Sequence, residues 1–502
     1  MAYKLLTRRT LLQTLFVLVA AVDLGALVRL TIISSGDFPL NDGGLFTVMA
    51  QDIAHAGYRL PVVSSYNGIR TPFAYPPLGF YLAAVLTNVF GWSLLDIARY
   101  LPLAINLLTI PAYYLLAHAM LKSQWQASLA VIAFALLPRT FKFLIMGGGL
   151  SRSPGLLFAV LLMWQAYLLY TTGNRRHLLP TILFAGLTTV SHPEMMLYAG
   201  LSCFLFFLFC GRNRQGALHT AMVIAGTVIL TAPWWLAVVS AHGLSPFLSA
   251  YQTGEQSAFV SVALLLTGVG FVEQTLLGVM ALLGGLRCIA TRRYLLPVWL
   301  ISIFVLAPRS AQTFAVVVVP LLIALDLDEV IFPALITQSR GKLARNILLF
   351  MLVVYSVFTA FNTYIPVLAA EERDAMRWAG RNTPASGQFV VLSGYDWYED
   401  AISEWFPVLS GRRSMATVQG YEWFPKQEFQ FREEQHKALQ ECGDVNCLEL
   451  WARKTGVSYS YVYISGTRMR YGALRFALEQ SPDYHLIYNG PGALIFARTV
   501  LL

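Results

Sequence analysis

The feature that most constrains this chain is a succession of apolar runs, most of them close to the roughly 20 residues a helix needs to cross the hydrocarbon core of a bilayer. They fall near 11–33, 99–120, 125–139, 153–171, 177–191, 194–211, 217–240, 259–286, 294–308, 311–333 and 345–366. A shorter run, 76–91, opens after Tyr75-Pro76-Pro77. Charge is distributed to match. Charged residues make up only 13% of the chain, against about 25% in an ordinary soluble domain. The deficit lies in residues 1–370, which carry 22 basic and 11 acidic side chains, whereas residues 371–502 carry 14 and 16. This predicts a transmembrane module over 1–370 and a soluble α/β domain over 371–502. It excludes a soluble enzyme, a disordered chain and a nucleic-acid binder, whose basic residues would gather on one exposed face.

Lys and Arg mark the cytoplasmic ends of membrane spans. Basic clusters stand at Lys4/Arg8/Arg9, Lys122, Arg175/Arg176, Arg212/Arg214, Arg287/Arg292/Arg293 and Arg340/Lys342/Arg345. With all six inside, the runs alternate only if 34–98 stays outside as one loop, so 76–91 is expected to lie on the outer leaflet as an interfacial helix. The expected protein is therefore a polytopic α-helical one of about eleven spans, integral to the cell membrane. Its N-terminus is cytoplasmic and its C-terminal α/β domain extracytoplasmic. The first run is too long for the apolar core of a signal peptide and no small-residue cleavage site follows it, so it is expected to remain as a span.

In the soluble part, 371–381, 426–440 and 446–454 read as helices, and 388–393, 459–465, 484–488 and 493–498 as strands. Asn489-Gly490-Pro491-Gly492 is a hairpin turn signal, and no Gly-rich phosphate loop is present. Cys203, Cys210 and Cys288 lie in or beside spans, where a thiol is an apolar filler. Cys442 and Cys447 flank the polar stretch 443–446. Outside the cytoplasm such a pair is expected to form a disulfide, the alternative being two free thiols.

Chemistry is most legible in the first loop. Asp37-Phe38-Pro39-Leu40-Asn41-Asp42-Gly43-Gly44 follows directly on the first span. Asp42 admits two readings: an N-cap for the helix that follows, or a carboxylate offered to a lipid-borne substrate, with two glycines leaving room for it. His192 and Glu194, either side of Pro193, are also ambiguous. They suit a helix start, with Pro at the first position and an acid near the positive end of the dipole. They equally suit a divalent-ion pair or a second acidic site. The sequence does not require a metal.

The loop with Asn41-Asp42-Gly43-Gly44, the surface helix after it and then Tyr75-Pro76-Pro77-Leu78-Gly79 resemble the GT-C superfamily of membrane glycosyltransferases. That superfamily includes protein O-mannosyltransferases, oligosaccharyltransferases and the aminoarabinose transferase of lipid A. Arg99, Gly148-Gly149-Leu150-Ser151-Arg152, the 191–194 turn, Glu404-Trp405-Phe406-Pro407 and Gly411-Arg412 extend the resemblance. The departures are a lone Asp42 after Asn41, where some relatives have Asp-x-Asp, and the lack of a carboxylate in 140–152.

The resemblance implies transfer of a sugar from a polyprenyl-phosphate donor to an acceptor hydroxyl on a lipid, glycan or protein, with inversion and at the outer face. It implies Asp42 as the catalytic base and Arg309, then Arg152, as donor-phosphate ligands, since a guanidinium grips two phosphate oxygens at once. For either arginine the alternative is contact with lipid headgroups. Tyr75 and Arg99 become substrate-shaping residues. Tyr421-Glu422-Trp423 admits two readings, aromatic surface suited to sugar rings on the acceptor side or, as is commoner for such a cluster, core packing. Membrane lipids are the other expected partners, and nucleic acid is not one. Two further readings stay open on sequence alone, a transporter or lipid flippase and a non-catalytic sugar-binding accessory protein. Against a transporter stand the lack of internal repeats and the few charges within the runs.

Overall fold

The computed structural model describes residues 8–252, 274–306, 310–337, 340–363, 365–466 and 469–499. Helices stand on the apolar runs. They are α1 (Arg8–Ile33), α2 (Gly44–His55), α3 (Leu78–Phe90), α4 (Leu94–Leu121), α5 (Gln124–Leu136), α6 (Gly149–Thr172), α7 (Leu178–Thr189) and α8 (Pro193–Cys210). There follow α9 (Arg214–His242), α10 (Ser245–Gln252), α11 (Thr275–Ala290), α12 (Leu295–Leu306), α13 (Ala311–Asp326), α14 (Phe332–Ile336) and α15 (Gly341–Phe361). Among the described residues six helices are long and apolar enough to cross a membrane, namely α4, α6, α8, α9, α15 and the Leu12–Ile33 part of α1. By contrast α5 and α7 have 13 and 12 residues, about 18–20 Å at 1.5 Å per residue, short of a ~30 Å hydrocarbon core. Pro138 explains the early end of α5, because the residue before a proline disfavours the helical region. The start of the 259–286 run lies outside the described residues.

Local sequence fixes the helix ends. Ser93, Ser123 and Asn213 each accept a backbone N–H from the first turn of the helix they precede, the usual work of such residues. Short polar turns then let successive helices pack as neighbours, with α6 lying against α4, α7 and α8. One buried arginine ties this end of the bundle together. Arg29 of α1 donates to Asn106 Oδ1 on α4 at 2.6 Å, to the Ala135 carbonyl on α5 at 2.7 Å and to Thr140 Oγ1 at 3.2 Å. Asn106 in turn donates to the Thr140 carbonyl at 2.9 Å. The loop that leads to Gly147 and Arg152 is thereby moored at its origin.

After 365 the chain builds a mixed five-stranded sheet, flanked by helices α16 (Ala370–Asn382), α17 (Ala401–Ser410), α18 (Lys426–Gln440), α19 (Val445–Thr455) and α20 (Gly472–Gln480). The strands are β1 (Gln388–Leu392), β2 (Arg413–Ser414), β3 (Tyr461–Ser465), β4 (Tyr484–Asn489) and β5 (Ala493–Arg498), in the order β2-β1-β3-β5-β4. Pairing is parallel from β2 to β3 and antiparallel at β3–β5–β4. The period of two sends alternate side chains to opposite faces. Val390, Leu392, Val462, Ile464 and Phe496 face a core with α18, α19 and α20. Phe389, Val391, Tyr463 and Ile495 face α16 and α17, and Phe38 of the first loop joins that second core. The Phe38 ring meets Trp405 of α17 edge-on at 4.7 Å. Sheet packing therefore delivers α17 to the loop that carries Asp42. Cys442 and Cys447 are bonded, across a sequence separation of five.

Candidate active site

Asp42 lies in a turn that only glycine neighbours permit. Gly43 has φ +119°, a backbone region side chains rarely adopt, and a Cβ there would stand 2.7 Å from the Gly147 Cα. A Cβ on Gly147 would strike the Asp42 carbonyl. The two loops, 40–44 and 146–149, thus touch backbone to backbone, and Gly147 N donates to the Leu40 carbonyl at 3.0 Å.

This contact aims the Asp42 carboxylate. Its Oδ1 accepts from Gly148 N at 2.9 Å and its Oδ2 from Arg152 Nη2 at 2.6 Å. Arg152 also donates through Nη1 to the Phe143 carbonyl at 3.2 Å. Asp42 retains 19% of its side-chain exposure and Arg152 26%, so the pair opens toward solvent. Asp42 does not cap α2: the side-chain acceptor at that helix start is Glu404 Oε1, which takes Gly43 N at 2.9 Å and Leu45 N at 3.2 Å. The capping reading of Asp42 is corrected here, because its carboxylate is committed to the opposite loop.

Glu404 is a site residue that sequence reasoning left without a role. Burial, then the negative charge of Asp42, push its carboxyl up to about 8, against the two N–H bonds that favour the charged form. The signal for it was its isolation, since it is the one charged residue in Ala401–Ser410. Tyr66 donates to the Glu404 carbonyl at 2.7 Å and Trp405 Nε1 to the Asn41 carbonyl at 2.9 Å, closing the site on that side.

Tyr75 lies next to this cluster. Ser151 Oγ donates to its hydroxyl at 3.1 Å, and its ring meets Phe46, Trp423 and His192 at 4.8, 5.4 and 6.3 Å. Burial raises the Tyr75 phenol to about 12, a shift that Arg152 opposes and that Glu194 and Asp42 reinforce. Asp42, Arg152, Tyr75, His192 and Trp423 are thus brought together around one locus. Trp423 is buried against Tyr75 and Ala74, which makes it part of the packing.

Other expected site residues sit elsewhere or are otherwise engaged. Arg99 turns its guanidinium to the carbonyls of Ile33 and Gly36, where α1 ends, so its visible work is to hold the entry of the first loop. His192 is the N-cap of α8, with Nδ1 accepting from Met195 N at 3.4 Å. Glu194 Oε2 accepts from Ser310 Oγ at 2.9 Å, which brings the start of α13 to that turn. Arg309 lies outside the described residues. Among the described residues no three His, Cys, Asp or Glu side chains converge on a point that would hold a metal. Arg152 pairs with Asp42 Oδ2 and Gly148 N with its Oδ1.

No protein-family model and no curated protein sequence matches the chain. Solved structures do. ArnT from Cupriavidus metallidurans bound to undecaprenyl phosphate aligns at 16% identity and TM-score 0.60, over 95% of this chain and 97% of that one. The Archaeoglobus fulgidus oligosaccharyltransferase, in complex with Zn and sulfate, aligns at 15% and 0.53, over 96% of this chain and 73% of that one. Arabinofuranosyltransferase AftD from Mycobacteria aligns at 15% and 0.57, over 96% of this chain and 41% of that one. Together with the helices long enough to span a bilayer, these likenesses give the chain the fold of the GT-C membrane glycosyltransferases.

Proposed function

We propose that the protein is a multi-pass membrane glycosyltransferase that moves a sugar from a polyprenyl-phosphate donor to an acceptor hydroxyl at the extracytoplasmic face. Residues 1–370 form the membrane module in this reading, and 371–502 an extracytoplasmic domain that shapes the acceptor side. The observation that carries it is the Asp42 carboxylate, held by Gly148 N and Arg152 at the junction of two glycine turns, on a fold shared with three glycosyltransferases. The partner class is supported by one of them, whose structure holds undecaprenyl phosphate.

The transfer is a single in-line displacement. Asp42 takes the proton of the acceptor hydroxyl, and that oxygen attacks the anomeric carbon. The bond from that carbon to the phosphate oxygen breaks, and the electron pair leaves on the lipid phosphate. A guanidinium suits this leaving group because two N–H groups meet two phosphate oxygens. The family resemblance points to Arg309 as the ligand, and Arg152 is already beside the base. When phosphate takes the Arg152 fork, the Asp42 Oδ2 that Arg152 Nη2 holds is released to face the acceptor hydroxyl.

The test is a purified-protein assay in proteoliposomes with a radiolabelled undecaprenyl-phosphate sugar and a panel of lipid, glycan and peptide acceptors. Label appearing covalently on an acceptor supports the enzyme. Label crossing the bilayer while it remains on its lipid contradicts it and leaves a flippase.

A further inference from the structure

Helix α2 starts immediately after Asp42, and its first-turn N–H groups have no cap from their own segment, because Gly43 at the cap position carries no side chain. Unpaired N–H groups at a buried helix start are costly. The acceptor arrives from 361 positions away: Glu404 Oε1 takes both Gly43 N and Leu45 N. The next residue of α17, Trp405, donates to the Asn41 carbonyl. The Asn41 carbonyl and the Gly43 N–H belong to the two peptide groups that join Asp42 to the chain. Consecutive residues of one helix therefore hold both of them. From the opposite side Gly147 N and Gly148 N hold Leu40 and Asp42 itself.

Packing alone does not account for an acid here. Glu404 is 6% exposed and within electrostatic reach of two other carboxylates, Asp42 and Glu422. An apolar side chain would fill the same space without that repulsion. What an apolar side chain cannot supply is an acceptor for two N–H groups.

We propose that Glu404 is a positioning residue for Asp42: by capping α2 from the C-terminal part of the chain it sets the aim of the base, so the site is complete only when α17 is seated on the first loop. This rests on the reading of Asp42 as the base. Displacement of a reacting group by about 1 Å costs on the order of 10²-fold in rate, which sets the size of the expected effect.

The experiment uses the full chain in nanodiscs and the variants Glu404→Ala and Glu404→Gln. Hydrogen exchange is followed at the amides of residues 43–47. Transfer from a radiolabelled undecaprenyl-phosphate sugar supplies kcat and the donor KM. In Glu404→Ala, exchange at Gly43 and Leu45 should rise at least tenfold. Its kcat should fall about 100-fold, with donor KM within twofold of the parent. Glu404→Gln keeps an oxygen acceptor, so it should restore protection and recover kcat to within about fivefold. Unchanged exchange in Glu404→Ala overturns the proposal, because the cap would then not be Glu404. Faster exchange with kcat unaltered also overturns it, because the cap would not aim the base. A parent protein without transfer activity would defeat the glycosyltransferase reading instead, and the exchange result would still decide whether Glu404 caps α2.

Discussion

At the scale of single residues, the site depends on backbone contact as much as on charge. Asp42 was legible because an acid before two glycines at the end of a span is a conspicuous pattern, and Gly147–Arg152 because a glycine turn ending in arginine is another. Their joining was not legible, since no local rule pairs a turn at 42 with one at 148. Gly147→Ala tests the contact. Its methyl collides with the Asp42 carbonyl, and overpacking of this kind costs about 1–3 kcal/mol. Thermal unfolding should show a lowered Tm and the transfer assay a loss of at least tenfold, whereas full activity would show that the loops separate freely. Glu404 gives a pH signature. Its carboxyl is raised from 4.5 to about 8, so between those values the folded chain keeps a proton the unfolded chain has released. Stability must then fall as pH rises through that window and level off above it. Tm measured from pH 5 to 8 should decline less steeply in Glu404→Gln than in the parent, and equal slopes would contradict the assignment.

At the scale of elements, periodicity located most of the fold. The strand readings at 388–393 and 493–498 match β1 and β5 to within a residue, and the hairpin turn at 489–492 joins β4 to β5. Reading failed at α17, β2 and α20. α17 is short and has Pro407 inside it, a residue that normally ends a helix, so its sequence does not read as one. β2 has two residues and no pattern to read. Because Glu404 sits on α17, missing that helix left Glu404 without a role. The bond between Cys442 and Cys447 links the end of α18 to the start of α19. A loop this short restricts the unfolded chain only modestly, by about 2 kcal/mol in the chain-entropy account. Replacing both cysteines with serine should lower the Tm seen in tryptophan fluorescence and leave transfer within twofold. A large loss of transfer would mean that the α18–α19 corner bears on the site.

At the scale of the whole molecule, the uneven charge separated the apolar helices from the residues that form the sheet, and basic clusters proposed their orientation. Helix length is what sequence expressed least well: runs read as spans near 125–139 and 177–191 contain helices of 13 and 12 residues, because a proline or a 3-10 turn bounds them. The proposed topology keeps α3 on the outer leaflet. Arg59 and Ser93 flank it and are exposed, so cysteines at both positions should react with an impermeant maleimide from outside intact cells. Labelling at 93 only after the membrane is opened would reverse everything beyond α3. The central claim is that Asp42 is the base of a membrane glycosyltransferase. The most direct test is transfer by Asp42→Asn, since an asparagine oxygen still accepts from Gly148 N while losing the capacity to take a proton. A positioned base contributes about 10²–10⁴-fold. The account predicts a loss of that size with donor binding and Tm close to the parent's, and near-normal transfer by Asp42→Asn would contradict it.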